Sequence, residues 1–507
     1  MEKKAQKGKV PKPPVIVITG HIDHGKSTLL DYIRKTNVVA SEAGGITQHL
    51  SAYEVIHKKP DGTGQKITFI DTPGHAAFSG MRERGVNVAD IAILIVSAED
   101  GVKAQTVEAI KSIKESNTPF IVAINKIDKP NANVEKTKND LGEKEVFLEG
   151  YGGNVPFVLI SAKIGTGIPE LLDMILLVAE LEELSYEPQK KGEGIIIESH
   201  LDPKRGISGT LIVKEGILKK GDFMVIDGTV SSIKIIEDFK GTPITEATAG
   251  SSVRMAGFSE NPRAGAIFRT LQTKKEAEIL AQEFVKTPKK ETSTSIPDLS
   301  EEEEKLTRVI PITLKADAQG TLEALEKEIV KINTENVIIK VTNRGIGTVS
   351  ESDVKLAQSG NNPIIIGFNV KVEAKGKDLA ERGGVTIALF DIIYKLTEWL
   401  EEESKKRKPK VAVEEILGKA KIIRCFSKEK DRQVVGGKVM EGILSLGVVV
   451  KILRRDFEIG RGKIIELQQQ KIKSKEVTQG NEFGLMIDSN MDVAEGDILE
   501  SFRVIEK

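Results

Sequence analysis

The segment from Val15 to Ser27 constrains this chain more than any other. Val15-Ile16-Val17-Ile18-Thr19 reads as a buried strand and runs straight into Gly20-His21-Ile22-Asp23-His24-Gly25-Lys26-Ser27, which fits G-x-x-x-x-G-K-[ST] and precedes a helical pattern. Strand, glycine-bounded loop and helix in that order belong to an open α/β sheet. The glycines let backbone N–H groups turn inward around phosphates, and the N-terminus of the following helix adds positive potential. Lys26 is expected to reach the β- and γ-phosphates, Ser27 to hold Mg²⁺, and Thr28 to complete the set. By itself this match leaves ATPases and kinases open.

Three further segments follow in order, each at the end of an expected strand, where an open α/β sheet binds its ligand. Strands are expected at Val15 to Thr19, Ile67 to Asp71, Ile91 to Val96, Phe120 to Asn125 and Phe157 to Ser161. Asp71-Thr72-Pro73-Gly74 places a carboxylate near Mg²⁺, indirectly through water, and the Gly74 amide near a γ-phosphate. Asn125-Lys126-Ile127-Asp128 offers a carboxylate that can accept both N–H donors of guanine, with Lys126 along the purine face. Ser161-Ala162-Lys163 supplies an amide to the guanine oxygen. The ordered set sets ATP aside and predicts a site for GTP and GDP. Between the phosphate loop and the second strand, Thr47 in Gly44-Gly45-Ile46-Thr47 is the expected second hydroxyl on Mg²⁺, ordered only when the γ-phosphate is present. His75, directly after the Asp-x-x-Gly element, is the candidate catalytic residue, placed to orient the attacking water. His21 and His24 read as loop packing or backbone partners. No arginine finger is identifiable, so hydrolysis alone is expected to be slow, with activation in trans contributing about 10⁵ in rate, or ~7 kcal/mol.

At 507 residues the chain exceeds one hydrophobic core. The expected architecture is multidomain α/β and β: a P-loop GTPase domain, a β-barrel, a three-layer α/β/α sandwich, a long linking helix and a C-terminal β-barrel. The expected divisions are a short basic tail (1–13), a GTP-binding domain (14–186), a β-barrel with a trailing helix (187–290), a linker (291–306), an α/β/α domain (307–400), a helical linker (401–418) and a final β-barrel (419–507). Leu379 to Leu417, rich in charge, is expected as an extended helix. An internal echo joins the barrels: Val213-Lys214-Glu215-Gly216-Ile217-Leu218 recurs as Val439-Met440-Glu441-Gly442-Ile443-Leu444, and Thr248-Ala249-Gly250 as Thr478-Gln479-Gly480. Chance similarity of two Gly-turn hairpins is the alternative. A single cysteine, Cys425, excludes an intrachain disulfide, and no apolar run approaches a membrane span, so a cytoplasmic chain without membrane contact is expected. With a net charge of −1, nucleic-acid contact would need local patches such as Lys405, Lys406, Arg407, Lys408 and Lys410, which read equally as a solvated linker.

Gly20 to Lys26 with His-Ile-Asp-His inside, Gly44-Gly45-Ile46-Thr47-Gln48-His49 and Asp71-Thr72-Pro73-Gly74-His75 closely resemble bacterial translation initiation factor two. The resemblance continues through Met81-Arg82-Glu83-Arg84-Gly85, Asn125 to Pro130, Ser161-Ala162-Lys163, Leu314-Lys315-Ala316-Asp317, Gly345 to Asp353 and Ile366-Gly367-Phe368-Asn369-Val370, and covers nearly the whole chain. The family's long N-terminal extension is almost absent, so ribosome binding is expected to rest on the other domains. The resemblance implies the small and large ribosomal subunits, with their RNA and protein, and formylmethionyl initiator tRNA as partners, and a monomer off the ribosome. GTP would promote subunit joining, and the large subunit would trigger hydrolysis through His75. It also implies an apolar gate of Ile22 and Ile46 beside His75, for which plain packing is the alternative. Initiator tRNA would be held by the C-terminal barrel, through Lys471, Glu482, Phe483 and Gly484. There the chain departs from the family, with Lys438 where a cysteine is common, Gln468 and Gln469 where basic residues are, and Phe483 where a second cysteine is. Phe483 could stack on an adenine or fill the core. An elongation-type tRNA-delivering factor and a nucleotide-dependent assembly or scaffold protein are the rival functions.

Overall fold

The computed structural model describes residues 8–34, 50–59, 62–202, 204–285, 308–334, 337–359, 363–407, 412–429 and 431–506, in two compact units, Met1–Arg407 and Lys408–Lys507. The first unit begins with a six-stranded sheet ordered Ser51–Lys58, Gly64–Asp71, Val15–Gly20, Ile91–Ser97, Phe120–Asn125, Phe157–Leu159. Every residue of Val15–Gly20 and Ile91–Ser97 is buried, as parallel strands covered by helices on both faces must be. Leu29 and Leu30 of helix Lys26–Arg34 pack on one face with Leu171 and Ile175 of helix Ile168–Leu181, against Ile16, Ile18 and Ile93. Met81 and Val86 of helix Ser79–Val88 and Ile110 and Ile113 of helix Ala104–Ser116 cover the other, against Val15, Val17 and Leu94. All five expected strands form. Ser51–Lys58, which was not expected, pairs antiparallel with Gly64–Asp71 as the sheet's edge.

The next region is a seven-stranded antiparallel sheet ordered Thr229–Ser232, Phe223–Ile226, Ile267–Leu271, Glu193–Asp202, Gly206–Glu215, Ser252–Ala256, Ile235–Asp238. Its two edge strands, Thr229–Ser232 and Ile235–Asp238, follow each other in sequence, so the sheet must curl to bring its edges together, around a core that includes Leu211, Met224 and Phe268. This is the expected barrel. Val10–Pro11, within the expected tail, pairs with Ser185–Tyr186, and Lys12 Nζ lies 2.7 Å from buried Asp90, which Lys214 of the barrel also reaches at 2.7 Å.

A parallel four-stranded sheet ordered Val337–Ile346, Arg308–Ala316, Ile364–Phe368, Thr386–Phe390 follows. Leu322, Leu325, Ile393 and Leu396, on helices Gln319–Ile332 and Ile393–Lys406, pack against Ile312, Leu314 and Ile366. Val354 and Ala380, on helices Glu351–Ala357 and Ala374–Gly383, pack with Ile365, giving the expected three layers. The core of the first face is continuous with that of the nucleotide-type sheet. Gly320 permits this approach, because a Cβ there would stand 2.5 Å from Met81 Cε, and Arg84 Nη2 bonds Glu323 Oε2 at 2.6 Å across the same seam.

The extended helix expected over Leu379–Leu417, with its helical linker 401–418, gives way to other structure. Gly384, at φ +65°, ends helix Ala374–Gly383, Thr386–Phe390 is a strand, helix Ile393–Lys406 follows, and strand Ala412–Glu429 has begun by Ala412. Charge on the solvated faces masked a β-branched run. The linker 291–306 and Lys408 and Lys410 of the basic patch lie outside the described residues.

The second unit is a closed antiparallel barrel: Ala412–Glu429, Ile498–Glu506, Val449–Arg454, Phe457–Gln469, Glu482–Ser489, Arg432–Ser445, and back to Ala412–Glu429. The internal echo takes the same backbone form in both barrels. Gly216 and Gly442 turn at φ +67° and +68°, and a Cβ would stand 2.2 Å from Lys191 O and 2.1 Å from Leu417 O respectively. Gly250 N donates to Val213 O at 2.7 Å as Gly480 N does to Val439 O at 2.9 Å.

Candidate nucleotide site

The phosphate-type loop leaves the buried strand Val15–Gly20 and enters helix Lys26–Arg34. Gly20 (φ +152°) and Gly25 (φ +94°) are both obligatory, since a Cβ would lie 2.4 Å from Ile95 O and 2.3 Å from Asn125 Nδ2. Lys26 is 7% exposed, and its Nζ donates to Gly20 O at 3.0 Å and His21 O at 2.7 Å. Burial lowers the Lys26 ammonium to about 8, with Asp71 opposing the shift. A cation held in a dry cradle by two neutral carbonyls is disfavoured until an anion joins it, and the cradle therefore fits a phosphate. His24 is buried with Nδ1 3.4 Å from Ile95 O, and burial takes its imidazole down to about 4. His21 stacks edge-on to it at 5.1 Å. His24 thus reaches a backbone carbonyl and His21 packs on its ring. Asp23 is exposed at φ +62°, Ser27 is half-buried and Thr28 is exposed.

At the other end Asn125 joins three loops. Its Nδ2 donates to His24 O at 2.8 Å and its Oδ1 accepts from Ala162 N at 2.9 Å. Ser161 Oγ donates to Asp128 Oδ1 at 2.6 Å, and that bond holds the exposed Asp128 carboxyl below its ordinary range. The two Asp128 acceptors thus stay ionised and oriented. Lys126 takes a left-handed φ of +64°, and its Nζ bonds Asp100 Oδ2 at 3.2 Å. Ile127 is half-buried, with its N–H on Ile160 O at 3.4 Å. The Ala162 amide is engaged by Asn125. Lys163 is exposed beside it.

Asp71 is 6% exposed at the end of strand Gly64–Asp71, within the electrostatic reach of Lys26. The Thr72 hydroxyl points into the sheet, donating to Ile18 O at 2.8 Å. Gly74 lies against the phosphate loop, where a Cβ would meet Lys26 Nζ at 2.8 Å and Ile22 Cγ1 at 3.1 Å. His75 Nδ1 accepts from Ala77 N at 3.0 Å, and burial lowers its imidazole below the ordinary range. Among the described residues no group of three or more His, Cys, Asp or Glu could hold a metal. The donor set suits Mg²⁺ nonetheless, because that ion keeps waters and takes phosphate oxygens beside one or two protein ligands, here Ser27 with Asp71 behind. Thr47 and the rest of Gly44–His49 lie outside the described residues.

Sequence reasoning missed three residues at this site. Gln105 Oε1 accepts from Ile22 N at 2.9 Å, anchoring the crest of the loop. Arg82, 3% exposed, donates to His75 O at 2.5 Å and to Pro73 O and Gly74 O at 3.3 Å each, and pairs with Glu108 at 2.7 Å. Tyr394 meets the His75 ring edge-on at 4.5 Å. Only Arg82 carried a signal, as part of Met81-Arg82-Glu83-Arg84-Gly85.

In the C-terminal barrel Phe483 is 5% exposed and lies in the core with Val435 and Leu485, so it does not line the outer surface. Glu482 and Gly484 alternate outward. Glu482 sits opposite Lys438, and Gly484 sits between Gly436 and Gln468. Lys471 is exposed in the turn after Phe457–Gln469, at φ +67°, and Gln469 pairs with Ile472.

Residues 12–180 match the family described as the elongation factor Tu GTP binding domain, residues 191–271 elongation factor G domain 2, and residues 285–401 translation-initiation factor 2. Proteins described as translation initiation factor IF-2 match along nearly the whole chain. One from Ureaplasma parvum is 42% identical over 98% of this chain and 81% of its own length. Those from Carboxydothermus hydrogenoformans and Desulforamulus reducens are 40% and 41% identical over 98% and 97% of the chain, which spans only 60% and 50% of their lengths. A crystal structure of GDP-bound aIF5B from Aeropyrum pernix is 29% identical, covering 97% of this chain and 92% of that one at a TM-score of 0.44. No described helix is long and apolar enough to cross a membrane.

Proposed function

Because the chain belongs to the translation initiation factor IF-2 family, we propose that it is a GTPase of translation initiation, acting in the cytoplasm. It binds GTP or GDP with Mg²⁺, promotes the binding of formylmethionyl initiator tRNA to the small ribosomal subunit and the joining of the large subunit, and hydrolyses GTP when the ribosome triggers it. The observation that carries this reading is the buried Lys26 ammonium facing Asp71, with Gly74 closing on it and Asn125 tying the loop to Asp128 and Ser161.

In this reading the segment 14–186 binds nucleotide. Inward N–H groups and Lys26 neutralise the phosphates, Ser27 with Thr47 would hold Mg²⁺, and Asp128 selects guanine. Mg²⁺ would offset developing phosphate charge, while His75 orients the attacking water. Arg82, bonded to the carbonyls of Pro73, Gly74 and His75, makes that segment one body. The barrel 187–290 and the α/β/α domain 307–400 carry this state onward, and the final barrel holds tRNA on the surface of Lys438, Gln468, Glu482, Gly484 and Lys471. The chain acts as a monomer off the ribosome.

The test is GTP turnover with and without both ribosomal subunits. Stimulation by orders of magnitude is expected, and a rate indifferent to ribosomes refutes the assignment. Comparable affinity for elongator aminoacyl-tRNA would instead make it an elongation-type factor.

A further inference from the structure

His75 is fixed by two contacts unrelated to water activation. Its Nδ1 accepts from Ala77 N at 3.0 Å, so the neutral ring carries its proton on Nε2. An imidazole in that tautomer and orientation offers a donor on its open side, and cannot accept a hydrogen bond from a water whose lone pair must face phosphorus. The second contact comes from another part of the fold: Tyr394, in the first turn of helix Ile393–Lys406, meets the imidazole edge-on at 4.5 Å with an interplanar angle of 77°. Phe78 stands on another side of the ring at 6.0 Å. Glu328 and Lys331, from helix Gln319–Ile332, act on it electrostatically alongside Arg82. Burial raises the Tyr394 phenol above the ordinary range, with Asp23 of the phosphate loop and Glu328 adding to the shift. One side chain of the α/β/α region therefore stands against the histidine, within electrostatic reach of the loop.

We propose that Tyr394 is a positioning residue that holds His75 in a resting orientation, so that the α/β/α region restrains GTP hydrolysis until His75 is released. This rests on the reading of His75 as the water-orienting group. An edge-to-face aromatic pair contributes about 0.5–1.5 kcal/mol, which corresponds to a restraint of roughly 2- to 12-fold on the population of the released ring.

The experiment is single-turnover GTP hydrolysis by the full chain without ribosomes, with GTP affinity measured in parallel. Tyr394→Ala is expected to raise the rate by about 2- to 12-fold at unchanged affinity. Tyr394→Phe, which keeps the ring edge, should match the parent, and Tyr394→Ala combined with His75→Ala should lose the gain. A Tyr394→Ala rate equal to or below the parent's, with GTP still bound, overturns the proposal, whereas a parent chain that binds no GTP overturns the nucleotide reading instead. A measurement independent of variant folding is the nuclear Overhauser contact between the Tyr394 and His75 rings in the parent chain. It should be present both without nucleotide and with a non-hydrolysable GTP analogue bound in the absence of ribosomes. Absence in either state is equally fatal.

Discussion

Asn125 is the residue on which the phosphate end and the base end of the site both depend, and its replacement gives the sharpest test of the geometry. The side chain is 2% exposed and makes two hydrogen bonds, to His24 O at 2.8 Å and from Ala162 N at 2.9 Å. Asn125→Ala removes both and leaves a buried carbonyl and a buried amide without these partners. Neutral bonds contribute about 1 kcal/mol each and orphaned groups somewhat more, so the ordered loop loses about 2–3 kcal/mol. If GDP requires that loop order, its affinity should fall by roughly 30- to 150-fold. Asn125→Asp keeps an acceptor for Ala162 N but sets a carboxylate against His24 O, and should be at least as damaging. Titration calorimetry with GDP and Mg²⁺, with thermal unfolding in parallel, reads both effects. A GDP affinity within about twofold of the parent's in Asn125→Ala would mean that this bridge does not shape the site.

Three other outcomes are expected. The folded His24 imidazole titrates at about 4 against an ordinary 6.5, so the unfolded chain takes up a proton that the folded chain refuses; the stability this gives is full above about 6.5 and falls by about 3 kcal/mol as pH drops to 4. His24→Gln should flatten that slope in denaturant titrations run across the range, and an unchanged slope would contradict the burial. Gln105→Ala removes the acceptor of Ile22 N, which should speed release of fluorescent GDP about fivefold in stopped-flow traces. Gly442→Ala forces a Cβ to 2.1 Å from Leu417 O at φ +68°, which should destabilise the C-terminal barrel by at least about 2 kcal/mol in thermal unfolding while GTP affinity holds.

What could be read from the sequence was what short-range spacing determines. Gly20 and Gly25 are bound by a local rule, because the loop turns there at positive φ where a Cβ has no room, and Lys26 and Ser27 follow as the first residues of the helix. Asp71, Asn125 and Ser161 follow because strands buried on both faces deliver their ends to one edge. The Gly216 and Gly442 turns were legible as a repeated string, and their common backbone form follows from the same close approach to a neighbouring carbonyl. Gln105, Tyr394 and the reach of Arg82 were illegible, because each acts on a residue brought near by packing of separate elements. Ser51–Lys58 was lost because Tyr53 and Val55 share their face with His57 and alternate with Glu54, Ile56 and Lys58, so the edge strand resembles a polar loop. Thr386–Phe390 was lost among charges that belong to the helices on either side. Phe483 was decided by alternation: with Glu482 and Gly484 outward, it must point into the core.

The central claim is a loop of backbone amides and a buried lysine that receive a guanine nucleotide. Titration calorimetry of the purified, nucleotide-stripped chain with Mg²⁺ tests it directly, using GTP and ATP in parallel. Heat of association for GTP, little or none for ATP, and loss of the GTP signal in Lys26→Ala are predicted. No heat for GTP, or equal binding of ATP, contradicts the account.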